Sequence, residues 1–583
     1  MKPRCLFIGS TKYNYKAGKP SPVKYSLLSL MSHVADIADI EILDFEMLFG
    51  YPNTLEEIQK FRKYVNGVLK ERHPDIVAVS CYTSYDYLAS IDILKICREL
   101  YPKATLVVGG YHPTAVPEDF VGKQMYVDYV IKGEGENALR NIILCNGKNM
   151  PQIITGEILD LNEEKPLRYD LYPYKSDELS ISLSRGCFYK CAFCVQSDDY
   201  LIKYRKIEFE KIKDKINRAA EYFPLKRLMF TDPIFGTNLD ETKELVDFLK
   251  KNYPQYSYWA ETRIDRLTEE LVATLSELNI DLFFGVESLA EDTLMNLMNK
   301  TPNAQNYNDS FFRAVELCQR YNMLGMFNFI MNYPGEQFES SHYTLSQIEK
   351  VWEKYDKLCV SFHINQYVLY PGNKIYDMRY KLNTDRGFLF PNDGWWRSYE
   401  PDIIKRGENC IASTSINNKY NGNNHYWQRE KNILLRRFVS KYDFRAYQFF
   451  QKDEIQSIIH VNEKEVVGNI YNKVFQIVAR YRYFLTSQLS LYHMVIDSDK
   501  SEEFINTFDK IYLYATYEAD NQLINACFEE KGEEILDYIC KDLSSEYERN
   551  IAALSLTSNT YMVVLGNKKF NINSNGKLVQ KGK

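Results

Sequence analysis

Cys187, Cys191 and Cys194 stand in the pattern CxxxCxxC within Ser184-Arg185-Gly186-Cys187-Phe188-Tyr189-Lys190-Cys191-Ala192-Phe193-Cys194, directly after the alternating run Leu179 to Leu183. In a chain with 12 cysteines among 583 residues, a triplet this tight reads as a metal site. Such spacings let three thiolates converge on one soft metal centre, and the odd ligand number discriminates between centres. A structural zinc closes its site with four ligands. A four-iron cluster held by three thiolates keeps one iron open to a further ligand. A zinc site with a remote fourth ligand and three unrelated buried thiols are the competing readings of the same residues.

A centre of this kind needs a scaffold. From Ile181 the sequence alternates strand and helix patterns, with strands expected near Arg227 to Phe230, Tyr256 to Ala260, Asp281 to Val286, Met326 to Met331 and Val360 to Val368. Helical patterns such as Glu210 to Tyr222 and Glu241 to Lys250 lie between them. With the strand before the cysteines this makes six, which predicts a partial, parallel barrel with its site at the carboxyl ends of the strands. Polar residues fall at those ends: Thr231-Asp232, Glu261-Thr262-Arg263, Gly285-Val286-Glu287-Ser288, Asn332-Tyr333-Pro334-Gly335-Glu336 and Val368-Leu369-Tyr370-Pro371-Gly372. A carboxylate such as Glu287 suits ribose hydroxyls or an ammonium, and the planar fork of Arg263 suits a carboxylate. For Asp232, Glu261 and Arg263 a structural salt bridge accounts for the residues equally well.

Upstream, strand patterns at Arg4 to Gly9, Ile40 to Asp44, Ile76 to Ser80, Thr105 to Val108 and Tyr129 to Ile131 alternate with helical patterns at Tyr25 to Val34, Leu55 to Leu69, Tyr87 to Leu100 and Glu136 to Leu144. Regular alternation of this kind implies a parallel sheet covered on both faces, with ligands at the strands' carboxyl ends. The loops there are Ser80-Cys81-Tyr82-Thr83, Gly109-Gly110-Tyr111-His112-Pro113 and Gly133-Glu134-Gly135-Glu136. Glycine at a strand end lets backbone approach a flat ligand closely. Taken singly, each is equally a plain turn.

The cysteine triplet, with Phe193 before its third cysteine and the Gly186 turn before its first, resembles the radical S-adenosylmethionine superfamily. The three glycine-bearing loops upstream resemble the cobalamin-binding domain found in many of those enzymes. The resemblance implies a 4Fe-4S cluster on Cys187, Cys191 and Cys194, whose open iron chelates S-adenosylmethionine, and a one-electron reduction that cleaves it to a 5′-deoxyadenosyl radical. It implies an external electron donor such as flavodoxin or ferredoxin. It places S-adenosylmethionine near Phe193, Asp232, Glu261, Arg263, Glu287 and Ser288, and cobalamin against Ser80, Thr83, Gly109, Gly110, Tyr111, Gly133, Glu134 and Gly135. The implied fold is α/β throughout its first two domains: a Rossmann-like cobalamin-binding domain over 1–150, a linker over 151–178 and a partial (β/α)6 TIM-like barrel over 179–375. One departure matters. Mutase-type cobalamin domains carry Asp-x-His-x-x-Gly after the first strand, whereas Ser10 to Gly18 contains no histidine, so no lower cobalt ligand comes from that loop. His112 is the nearest alternative, and reads more simply as a turn residue before proline.

Composition bounds the rest. No apolar run approaches the roughly 18 residues of a membrane span, and MKPRCLFIGS enters a strand with no signal peptide. A cytoplasmic protein with reduced thiols and no membrane partner is expected. The net charge of −6 argues against a nonspecific nucleic-acid surface, and the 46 tyrosines reflect biased composition rather than an aromatic channel. From 376 to 583 amphipathic stretches at Trp427 to Tyr442, Ile470 to Leu485 and Leu523 to Leu543 predict a mainly helical C-terminal domain. Within it, Trp395-Trp396 suits core packing or substrate contact, Cys410, Cys527 and Cys540 are too dispersed for a second cluster, and the polar stretch Asn567 to Lys583 is expected to fray. Two such cofactors together imply a cobalamin-dependent methyltransferase acting on an unactivated carbon of a peptide or small natural product. Rearrangement, ring closure or oxidation without methyl transfer is the alternative within the enzyme class, and a non-catalytic iron-sulfur or cobalamin sensor the alternative outside it.

Overall fold

Val- and Ile-rich runs in the first third of the chain form a six-stranded parallel sheet: β1 (Arg4–Gly9), β2 (Asp39–Asp44), β3 (Ile76–Ser80), β4 (Thr105–Gly109), β5 (Tyr129–Lys132) and β6 (Ile153–Thr155), in the order β2-β1-β3-β4-β5-β6. The computed structural model describes residues 2–13 and 23–397, apart from 123–125, 146, 149, 198–202, 332, 337, 356–358, 387 and 391–392, together with short strands at 416–417 and between 552 and 580. The chain order reverses about β1, which opens a crevice at the carboxyl ends of β1 and β3. Helices cover the faces because their sequences carry one apolar stripe. Leu55–Leu69, capped by the Thr54 hydroxyl accepting from the Glu57 N–H at 3.1 Å, buries Ile58, Phe61, Val65 and Leu69 at spacings of three and four.

The second sheet is also six-stranded and parallel. After β7 (Glu178–Ile181) come the two-residue β8 (Ser184–Arg185) and its antiparallel partner β9 (Arg205–Lys206), then β10 (Arg227–Phe230), β11 (Ser257–Thr262), β12 (Ile280–Glu287), β13 (Gly325–Met331) and β14 (Val360–Gln366). Its order is β7-β10-β11-β12-β13-β14, an open barrel with edges at β7 and β14. Side chains alternate between its faces up to the end of β12. Leu228, Phe230, Leu282, Phe284, Phe327, Phe329 and Phe362 join one core with helix residues such as Ile216, Leu249 and Leu271. The intervening Ser180, Met229, Trp259, Glu261, Phe283, Asn328 and His363 are half-buried and line the lumen.

The two domains meet through shared structure. Tyr367, Leu369, Tyr376, Trp395 and Trp396, all beyond β14, enter the same core as Val108, Val116, Phe120 and Val130 of the first domain. The tryptophan pair is fully buried, so it packs rather than contacting substrate. Asp119 accepts from Trp396 Nε1 at 2.6 Å and from Arg397 Nε and Nη2 at 3.1 and 2.5 Å, closing a clasp. On the other flank Arg185 faces Glu134, Glu136 and Glu164 at 3.6, 2.9 and 3.0 Å. The carboxyl ends of both sheets therefore face one another.

Beyond residue 397 the helical stretches expected at 427–442, 470–485 and 523–543, with Cys410, Cys527 and Cys540, lie outside the described residues. What is described there is antiparallel: β15 (Phe388–Leu389) with β16 (Ile416–Asn417), and a meander of β17 (Ala552–Thr557), β18 (Thr560–Leu565), β19 (Lys568–Ile572) and β20 (Leu578–Gln580). This corrects the expectation that Asn567 to Lys583 frays, since β19 and β20 lie within it. Gly566-Asn567 and Asn575-Gly576 between apolar runs are hairpin signals, and the polar composition of the stretch masks them.

Candidate active site

The cysteine loop leaves β8 and is held by its own backbone and by the segment after β12. Tyr189 N–H and Gln196 N–H point at Cys187 Sγ and Cys194 Sγ, each at 3.4 Å. Ala192 N–H donates to Met298 O at 2.8 Å, and Asn299 Nδ2 to Lys190 O at 2.8 Å. Burial, helped by Cys191, raises the Cys187 thiol, and burial with Cys191 and Cys187 pushes Cys194 up to about 12. The three sulfurs thus lie within one another's fields. Three thiols, two N–H groups on sulfur and nearby cations fit an anionic iron-sulfur cluster.

Those cations are Arg263 and Lys300. Arg263 lies over the Tyr189 ring at 3.7 Å and directs Nη1 to Cys191 Sγ at 3.7 Å. It also grips Asp265 at 2.8 and 2.9 Å and donates to Lys300 O at 2.8 Å, so its fork is engaged within the protein. Lys300, 6% exposed, pairs with Glu287 at 3.2 Å and sits 5.7 Å from the Phe193 ring. Burial alone would lower its ammonium, but Tyr307, Glu287 and Cys191 hold it above the usual range.

Glu287 reaches Lys300 through an unusual backbone. It has φ of +71° just past an irregularity in the β12–β13 register, a conformation costing about 1–3 kcal/mol and found where function demands it. Its other oxygen accepts from Asn328 Nδ2 at 2.8 Å, and Asn328 in turn from Asn365 Nδ2 at 2.8 Å. Ser288 turns away to Thr344 and to Ala290 N–H. Asp232 accepts from Leu183 N–H at 3.1 Å and from the Ser184 hydroxyl at 2.5 Å, bracing the entry to the cysteine loop, and burial pushes its carboxyl up to about 6. Glu261 differs. It lies on the lumen face of β11, no hydrogen bond or ion pair from the described residues reaches its carboxylate, and burial with the Glu287 charge pushes it up to about 7.

Across the gap, Ser80 and Gly109 end β3 and β4 half-exposed, and a Cβ built on Gly109 would meet nothing closer than 3.8 Å. That bare backbone is a cradle for a flat ligand. Gly110 has φ of +123°, and a Cβ there would lie 2.3 Å from Cys81 O, so only glycine closes this turn. Tyr111 accepts from Gln196 Nε2 at 2.7 Å and packs edge-on to Tyr82 at 5.2 Å, tying the cradle to the cysteine loop. Tyr82 is 47% exposed, and its phenol is raised by desolvation first, then by Tyr111, Asp86 and Glu261. Thr83 N–H is fixed by Asp86, and Gly133 N–H by Thr114. Gly135 packs against Leu30. Glu134 is engaged by Arg205 and Arg185, a tie between domains. His112 is 1% exposed with both ring nitrogens in use, Nδ1 with the Ser84 hydroxyl at 3.0 Å and Nε2 with Asp119 at 3.2 Å. It is not free to bind cobalt. In the first loop Ser10 to Tyr13 are buried and Lys12 pairs with Glu46 and Asp86, while 14–18 lie outside the described residues.

Sequence reasoning missed Lys300, Asn328 and Arg185. Asn328 carried a signal, since it falls on the lumen face of a predicted strand; Lys300 and Arg185 are defined only by what folds against them.

Comparison with known proteins agrees with this geometry. Residues 48–143 match the B12 binding domain and residues 181–347 the Radical SAM superfamily. An uncharacterized methyltransferase of Pyrococcus horikoshii is 24% identical over 397 residues, 64% of this chain and 80% of its own length. Hopanoid C-3 methylase of Methylococcus capsulatus is 23% identical over 381 residues, 60% of this chain and 67% of its own. The fold is similar to that of the radical S-adenosylmethionine methyltransferase TsrM from Kitasatospora setae, solved with cobalamin and a [4Fe-4S] cluster, with a TM-score of 0.51 and 18% identity over 66% of this chain and 79% of that one. The chain thus carries a B12 binding domain ahead of a Radical SAM domain, with the cysteine triplet facing the glycine cradle between them, and is similar to cobalamin-dependent radical S-adenosylmethionine methyltransferases.

Proposed function

We propose that the chain is a cobalamin-dependent radical S-adenosylmethionine methyltransferase acting on an unactivated carbon of a peptide or small natural product. One observation carries this reading: Gln196, two residues past Cys194, donates to the Tyr111 hydroxyl at 2.7 Å, so the three-thiol loop of the second sheet lies against the bare strand ends of the first. When bound, the cofactors supply hydrogen abstraction and a transferable methyl group; the chain supplies orientation and exclusion of water. Cys187, Cys191 and Cys194 hold the cluster, with Phe193 beside it. Glu287, fixed by Lys300 and Asn328, and Glu261 present carboxylates to S-adenosylmethionine or to a substrate N–H or ammonium. Asp232, Arg263 and Ser288 act as positioning residues through the contacts described above. Ser80, Thr83, Gly109, Gly110, Tyr111, Gly133 and Gly135 surround cobalamin, and Glu134 holds their loop to the barrel.

The cobalamin-binding unit spans 1–150, the linker 151–178, the barrel 179–375 and the C-terminal domain 376–583. A flavodoxin or ferredoxin delivers the reducing electron, nucleic acid is not the substrate, and the protein works in the cytoplasm. Among the described residues no helix is long and apolar enough to cross a membrane. The test is anaerobic: enzyme, both cofactors, reductant and a fractionated peptide and small-molecule extract should yield 5′-deoxyadenosine and S-adenosylhomocysteine together. 5′-Deoxyadenosine without S-adenosylhomocysteine would reject methyl transfer in favour of rearrangement, ring closure or oxidation.

A further inference from the structure

The residue after Cys187 turns outward. Phe188 is 44% exposed, an unusual position for a ring on so constrained a loop. It is fixed there by its neighbours, with the Tyr189 ring at 4.9 Å, the Tyr204 ring at 5.4 Å and the Arg266 guanidinium 5.9 Å from its centroid. Lys190 follows two residues on, and Lys203 precedes Tyr204; both are exposed, as is Arg266. No ion pair from the described residues reaches any of the three. The nearby Asp265 is engaged by Arg263, while exposed cations elsewhere on the barrel, Lys206 on β9 and Lys243 and Lys250 on the helix Leu239–Asn252, each hold a carboxylate. In a chain of net charge −6, this is a local positive field around an exposed aromatic ring, one covalent step from a cluster ligand.

An aromatic contact ringed by cations that no described carboxylate pairs is the composition of a transient docking surface. Electron transfer falls steeply with distance, and Phe188 is bonded directly to Cys187, so an electron entering there has a short path to that thiol. We infer that Phe188, Lys190, Lys203 and Arg266 form the docking surface for a small acidic electron-carrier protein, one bearing carboxylates around its own exposed redox group. The inference rests on the radical S-adenosylmethionine reading above. The step balances simply: the reduced carrier loses one electron, the cluster gains it, and no bond or proton moves. The complex is weak and fast, because solvent-exposed cations steer carboxylates on the carrier to a small contact centred on the aromatic ring.

The test compares the reconstituted holoenzyme with its K190E/K203E/R266E variant, using flavodoxin as the probe. Binding of flavodoxin is followed by biolayer interferometry, and cluster reduction by stopped-flow absorbance, each at low and high salt. The variant is expected to lose at least about tenfold in flavodoxin affinity and in flavodoxin-driven reduction at low salt, with the gap closing as salt rises. Its reduction by dithionite is expected to stay within about twofold of wild type, because a small reductant needs no docking surface. Equal flavodoxin affinity in variant and wild type at low salt would overturn the inference. So would a parallel loss of the dithionite rate, which would place these residues in cluster assembly instead. A K190R/K203R/R266K variant, which keeps the charges, is expected to restore binding. If wild-type protein holds no cluster that dithionite can reduce, the enzymatic reading itself fails first, and the docking surface with it.

Discussion

Asp119→Asn tests how the cobalamin-binding domain is held against the barrel. The wild-type carboxylate, 4% exposed at its side chain, receives four N–H groups: His112 Nε2 at 3.2 Å, Trp396 Nε1 at 2.6 Å, and Arg397 Nε and Nη2 at 3.1 and 2.5 Å. Asparagine keeps the shape but replaces one acceptor oxygen with a donor. His112 and Trp396 share one carboxylate oxygen and Arg397 holds the other, so the amide turns its oxygen to the buried indole and imidazole and its NH2 to the guanidinium, and the buried pair trades a charged acceptor for a neutral one at about 1 kcal/mol. The Arg397 side chain is 53% exposed, so its share is discounted to about 0–1 kcal/mol. The expected loss is about 1–2 kcal/mol in the transition that separates the domains. His112 also fixes the Ser84 hydroxyl, so the loops after β3 and β4 loosen together and cobalamin affinity falls with stability. Urea unfolding followed by tryptophan fluorescence, with cobalamin titration by absorbance, measures both. A midpoint unchanged within about 0.5 kcal/mol, with unaltered cobalamin affinity, would refute the clasp as a positioning device.

Three further outcomes follow from the site. Lys300→Met leaves Glu287 buried without its cation and should destabilise the barrel by about 3–5 kcal/mol, with a lower affinity for S-adenosylmethionine in equilibrium dialysis; near-wild-type unfolding would show that Glu287 does not depend on the pair. Gly110→Ala drives a Cβ into Cys81 O and should abolish cobalamin retention on purification while the cysteine loop still binds iron. Glu261 has a raised pKa, about 7, so its contribution to cofactor-free stability is fully present below the unfolded value near 4.5 and is lost as pH rises through 7. Glu261→Gln should flatten the stability profile between pH 4.5 and 7, and an unchanged slope in urea melts would contradict its burial.

Much of the scaffold was legible because strand periodicity survives in sequence. Arg4–Gly9 and Ile76–Ser80 are read directly from their apolar runs, and the barrel strands from alternation such as Phe327, Phe329 against Asn328. The three-residue β6 was not seen, being too short and half-exposed to show a pattern. Groups defined by tertiary meeting were not legible either. Asp119 and Arg397 are 278 positions apart, and nothing local marks either. Lys300 lies in an unremarked loop and gains meaning only when Glu287 turns to positive φ. Arg263 carries the residue type of a ligand clamp, yet folding assigns its fork to Asp265 and Lys300 O. The hairpins at the end of the chain had turn signals that polar composition obscured.

The central claim is that two metal cofactors share one lumen, and elemental analysis of anaerobically reconstituted protein tests it most directly. About four iron and four sulfide per chain are expected, with cobalt near one per chain; Cys191→Ala should lose the iron and keep the cobalt. Zinc in place of iron, or iron without any cobalt under saturating cobalamin, would contradict the account.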